Sequence, residues 1–155
     1  MSTTVPGAAP EGERVHGWWI PAADARAPTM LYLHGARWSL SNNLHRIGRL
    51  HRMGFAVLAI DYRGFGRSDG DLPSEAQAEM DQAITKLGKD GFVGSYNAND
   101  GTAGGAIAAM KAAGINPSTI PSTGQDAELA AIQRILAGEQ YMTVYKPIIP
   151  LAESA

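Results

Sequence analysis

Two short apolar runs constrain this chain more than any other feature. They are residues 29–34, Thr-Met-Leu-Tyr-Leu-His, and residues 55–60, Phe-Ala-Val-Leu-Ala-Ile. Both have the length of a strand, and neither alternates polar with apolar, so each must be buried on two faces. Between them Leu40, Leu44, Ile47 and Leu50 recur at helical spacing, which predicts an amphipathic helix over 41–53, ended by Gly54. Strand, helix and buried strand together make the repeating unit of a parallel sheet.

The rest of the chain continues the alternation. Residues 15–20 read as a strand closed by Pro21. Ser74 and Gln77 form a capping box behind Pro73, and Met80, Ile84 and Leu87 carry that helix to Gly88. A strand over 92–97 precedes an Ala-rich helix over 102–113, with Ile107 and Met110 facing inward. A poor strand over 119–123 is interrupted by Pro121. A helix over 126–137 turns Leu129, Ile132 and Leu136 inward, and residues 141–145 alternate as a last strand. Right-handed crossovers then dictate a three-layer αβα domain with a mostly parallel, doubly wound sheet. Counting parallel strands from residue 29, the expected order is 2-1-3-4-5, flavodoxin-like, with strand 15–20 as an antiparallel edge. All 155 residues are expected to form one domain.

Composition removes several classes of function. Apolar residues make up 45% and the formal net charge is −2, so no basic surface points to nucleic acid. The absence of cysteine excludes disulfides and thiolate metal sites. No apolar run reaches the roughly 20 residues of a membrane span, and residues 1–13 lack the apolar core of a secretory signal. The expectation is a soluble, cytoplasmic domain with no cofactor, no metal and no partner beyond a weakly held sugar or small anion. One asymmetry suggests two origins. All four His and all three Trp precede residue 78, and every strong base before it is Arg, whereas the later ones are Lys apart from Arg134.

One serine-nucleophile spelling occurs, Gly66-Arg67-Ser68-Asp69-Gly70. That pattern works when its Ser sits on a tight strand-to-helix turn. Ser68 instead falls inside a Gly- and Asp-rich loop several residues before the next helix cap, so its hydroxyl is expected to bond nearby backbone. His45 and His51 fall on the helix over 41–53 and read as solvated surface residues.

Three segments carry a resemblance to the N-terminal part of the α/β-hydrolase fold. They are Gly17-Trp18-Trp19, Leu31-Tyr32-Leu33-His34-Gly35, and Ala59-Ile60-Asp61-Tyr62-Arg63-Gly64-Phe65-Gly66-Arg67-Ser68-Asp69-Gly70. The resemblance covers about residues 12–77. It implies that His34-Gly35 shapes an oxyanion hole, and that a later strand carries the nucleophile. At the corresponding turn this chain reads Ser95-Tyr96-Asn97-Ala98-Asn99-Asp100-Gly101, with no Ser or Cys at the turn, and no His follows residue 51. No catalytic residue is therefore assigned, and no enzyme activity is expected.

Residues 79–155 resemble a different family. The segments from Asn97 to Ile107, Thr123 to Ile135 and Gly138 to Pro147 are similar to the C-terminal lobe of D-xylose-type periplasmic sugar-binding proteins. The resemblance implies sugar contacts from Asn99, Asp126 and Lys146. Each has a local alternative: Asn99 bonding the turn backbone, Asp126 capping a helix, Lys146 solvated. The two resemblances meet near residue 78, inside one helix, where a splice keeps both the helical period and the crossover. The expected crevice at the sheet's switch point is lined by His34, Gly35, Asn99 and Asp100, with Arg63 and Asp126 near its edge. The leading expectation is a chimeric or designed α/β scaffold without evolved catalysis. A residual pentose-binding module and a weak esterase are the rivals.

Overall fold

The computed structural model describes residues 2–5, 15–35, 39–62, 68 and 76–147. The capping Ser74, Arg63 and all of the Gly-rich loop except Ser68 lie outside the described residues.

The fold is α/β, as the alternation requires. Strands β3 (Thr29–Leu33) and β4 (Ala56–Ile60) pair in parallel, and β3 pairs in parallel with β5 (Gly94–Asn97) on its other side. Strand β2 (Val15–Ile20) runs antiparallel along β4, with Gly17 opposite Ile60. A strand not expected from the sequence, β1 (Ser2–Val5), takes the outer edge beside β2. Beyond β5 lie β6 (Thr123–Gln125) and β7 (Met142–Val144), parallel to each other. One parallel bridge, Ser95 to Ser122, joins them to the main sheet. From β4 outward the spatial order is β4-β3-β5, then β6-β7 across that bridge. This is the expected 2-1-3-4-5 succession.

Strand alternation explains the layers. Leu31 and Leu33 of β3, with Leu58 and Ile60 of β4, turn to one face and pack with Met80, Ile107 and Met110. Those come from α2 (Ala76–Leu87) and α3 (Asp100–Ala112). Tyr32, Val57 and Ala59 turn to the other face, against Leu40 and Ile47 at and within α1 (Leu44–Arg52). The predicted helix over 41–53 thus begins as a 3-10 turn at Leu40–Asn43. Helix α2 crosses residue 78 without a break. Among the described residues no helix is long and apolar enough to cross a membrane.

The expected strand over 119–123 is displaced. Pro117 begins a 3-10 turn capped by Asn116, and the strand starts only after Pro121. Proline has no N–H for the ladder, so pairing resumes where donors return. Helix α4 (Leu129–Leu136) also begins later than residue 126. Residues 126 and 127 have φ of 109° and 56°, which no right-handed helix accepts.

Candidate functional site

The C-terminal ends of β5, β6 and β7 lie side by side, and each loop after them contributes one of the expected sugar-contacting residues. Asn99 is the N-cap of α3. Its extended backbone (φ −152°, ψ 177°) lets its Oδ1 accept from the Thr102 N–H at 2.8 Å. This is the local role foreseen as its alternative.

Asp126 does not cap α4. Glu128 occupies that cap, without a side-chain bond to the helix. The Asp126 carboxylate instead meets Lys146, with Nζ 2.7 Å from Oδ1. The two side chains remain 35% and 45% exposed, so the pair faces solvent. Lys146 is thus an ion-pair partner rather than a lone solvated base. The Asp126 N–H donates to the Val144 carbonyl at 2.9 Å, stitching the turn to the end of β7.

Asp100, expected to line a crevice, is wholly buried. Its Oδ1 accepts from Gln140 Nε2 (3.0 Å), and its Oδ2 accepts from the Glu128 N–H (3.0 Å) and from Thr143 Oγ1 (2.9 Å). Arg134 donates from Nη2 to the Asp100 carbonyl (2.8 Å) and from Nε to Gln140 Oε1 (2.9 Å). A carboxylate at the start of a helix is favoured by the helix dipole, and these donors replace the water it loses. Sequence reasoning missed Arg134, Gln140 and Thr143 as a group. Each stands in a polar position of ordinary appearance, and the partner that gives it meaning lies 34 to 43 residues away.

Among the described residues at the hydrolase-like end, His34 is packed and bonded. It is wholly buried, with Nδ1 2.8 Å from the Gly35 carbonyl. The Tyr62 N–H points at its Nε2 from 3.4 Å, and its ring stacks on Tyr62 with centroids 4.2 Å apart. Burial holds the His34 pKa below its ordinary value, against the opposing pull of the Gly35 carbonyl and the Asp61 carboxylate. A Cβ on Gly35 would lie 3.4 Å from the Ala98 Cβ, so the backbone after β3 passes close to the turn after β5. On the α1 side of the sheet a hollow of about 150 Å³ is bounded by Arg46, Tyr96, Thr123, Gln125, Met142 and Val144. A larger groove, about 480 Å³, runs past Lys89, Phe92 and Asn116 at the opposite end of the strands.

Ser68 is bound as its loop position predicts. Its Oγ donates to the Asp61 carbonyl (2.7 Å) and accepts from the His16 N–H (2.9 Å). Asp61, which the sequence did not single out, is a buried hub: Oδ1 accepts from the Leu40 N–H at 2.8 Å, and Oδ2 lies 3.0 Å from His16 Nδ1. On the α1 helix His45 is exposed and His51 is half-buried, with Nε2 3.1 Å from the Pro21 carbonyl. Among the described residues no group of three His, Asp or Glu side chains is placed to hold a metal ion.

Residues 53–155 match the periplasmic binding protein domain family. The D-xylose-binding periplasmic protein of Escherichia coli (strain K12) is 49% identical over 89 residues, 56% of this chain and 26% of that protein. An uncharacterized protein of the same organism, YfhR, is 38% identical over 72 residues, 44% of this chain and 25% of its own length. The chain therefore spans about a quarter of the curated relatives it matches. Among solved structures, a predicted CIB-like hydrolase from Thermoplasma acidophilum superposes with a TM-score of 0.64 at 14% identity. The match covers 95% of this chain and 87% of that one, and at that identity the likeness is one of fold.

Proposed function

The chain belongs to the periplasmic binding protein domain family through residues 53–155, and from that premise we propose that it is a chimeric α/β domain without evolved catalysis, whose remaining chemistry is weak pentose binding. The observation that carries the binding reading is the Asp126–Lys146 pair, held at the sheet's C-terminal end on a turn with strained backbone. Strain of this kind persists only where surrounding structure enforces it, and it collects at ligand clamps. A carboxylate that accepts beside an ammonium that donates matches two neighbouring sugar hydroxyls. The relative named for D-xylose supplies the substrate class.

One exposed ion pair, with Asn99 on a neighbouring loop, gives few contacts against the entropy of association, so the dissociation constant for D-xylose is expected at roughly millimolar. NMR titration with D-xylose should shift the Asp126 and Lys146 amides, and Asp126→Ala should abolish the response. No response in the unaltered chain overturns the pentose reading. The absence of catalysis is supported by the Ser68 hydroxyl, whose proton goes to a backbone carbonyl rather than to an imidazole. An activated ester should be hydrolysed equally by the unaltered chain and by Ser68→Ala. A burst lost in the variant overturns that part of the reading.

A further inference from the structure

Asp126 and Ala127 both hold positive φ, 109° and 56°, without being glycine. Something must hold this turn against the preference of its backbone. Three hydrogen bonds do so. The Asp126 N–H reaches the Val144 carbonyl, the Ala127 N–H reaches Thr143 Oγ1 at 3.2 Å, and the Glu128 N–H reaches Asp100 Oδ2.

Two of the three depend on Asp100. The Glu128 bond ends on its carboxylate directly. The Ala127 bond ends on the Thr143 hydroxyl, which donates its single proton to Asp100 Oδ2 and so turns a lone pair toward Ala127. A carboxylate only accepts, so it fixes that direction. The surroundings are shaped to admit it. A Cβ on Gly124 would collide with Asp100 Oδ1 and Gln140 Nε2, and one on Gly104 would press within 3.1 Å of the Arg134 guanidinium.

We propose that Asp100 is the positioning residue of the site: its buried carboxylate orients the Thr143 hydroxyl and, through that hydroxyl and the Glu128 N–H, holds Asp126 in its strained conformation opposite Lys146. The functional consequence rests on the pentose-binding reading, whereas the structural relay does not.

The test uses the full chain, with amide hydrogen exchange and D-xylose titration read separately. In Asp100→Asn the Ala127 amide, which Asp100 does not touch, should exchange about tenfold faster relative to the Leu31 and Leu58 amides of the central strands. Should that variant not fold, Thr143→Val removes the relay alone. It should weaken D-xylose binding by about fivefold, the effect of one hydrogen bond, with the unfolding midpoint little changed. Thr143→Ser, which keeps the hydroxyl, should restore the affinity. Unchanged exchange at Ala127 in Asp100→Asn, or unchanged affinity in Thr143→Val, overturns the proposal. If the unaltered chain shows no response to D-xylose, the function reading fails and the exchange result still decides the relay.

Discussion

Asp126 shows how a single residue carries opposing demands. A φ of 109° places its Cβ against its own backbone, a cost of about 1–3 kcal/mol that glycine would not incur. The ion pair with Lys146 returns little, because both partners are more than a third exposed and screened by water. Asp126→Gly is therefore expected to stabilise the chain by about 0.5–1 kcal/mol in urea denaturation while removing the D-xylose response. A loss of stability would show that the pair outweighs the strain. That a carboxylate stands here was readable from the sequence. Its ion pair was not, since Lys146 follows 20 residues later and only the parallel pairing of β6 with β7 brings it alongside.

At the scale of elements, the seam between β5 and β6 is polar and joined by a single parallel bridge. Ser95, Asn97 and Ser122 are all buried there, in positions where a strand is expected to be apolar. The structure gives the reason for Asn97. Its N–H donates to Thr123 Oγ1 (3.2 Å), and its Nδ2 donates to the Thr123 carbonyl (2.9 Å) and to Ser95 Oγ (3.0 Å). Side chains here stand in for the ladder bonds that a single bridge leaves out. Asn97→Ala should cost about 2–3 kcal/mol by opening this seam, and hydrogen exchange should quicken across β6 and β7 more than across β3 and β4. Uniform quickening would mean that Asn97 serves the whole sheet. The late start of β6 was half legible: Pro121 announced an interruption, but the strand's restart depended on where β7 offered partners.

Across the whole molecule, apolar surface is distributed unevenly. Central strands are sealed on both faces, whereas Leu129, Ile132 and Leu136 of α4, expected inward, stand 72%, 43% and 83% exposed. Tyr141 and Tyr145 beside β7 are exposed as well, and β7 is the edge of its sheet among the described residues. Such an edge templates pairing with another chain. Light scattering should show association that rises with concentration and diminishes in Val144→Lys, while size independent of concentration would contradict it. The sequence by itself determined the α/β class, the strand succession and the central core, because periodicity and unbroken apolar runs are local signals that burial must obey. It also placed Ser68 in a loop rather than on a nucleophile turn. Only the tertiary structure decided that Asp100 is a buried hub and that Asp126 meets Lys146. Those outcomes depend on groups far apart in sequence reaching hydrogen-bonding distance, which no local pattern encodes.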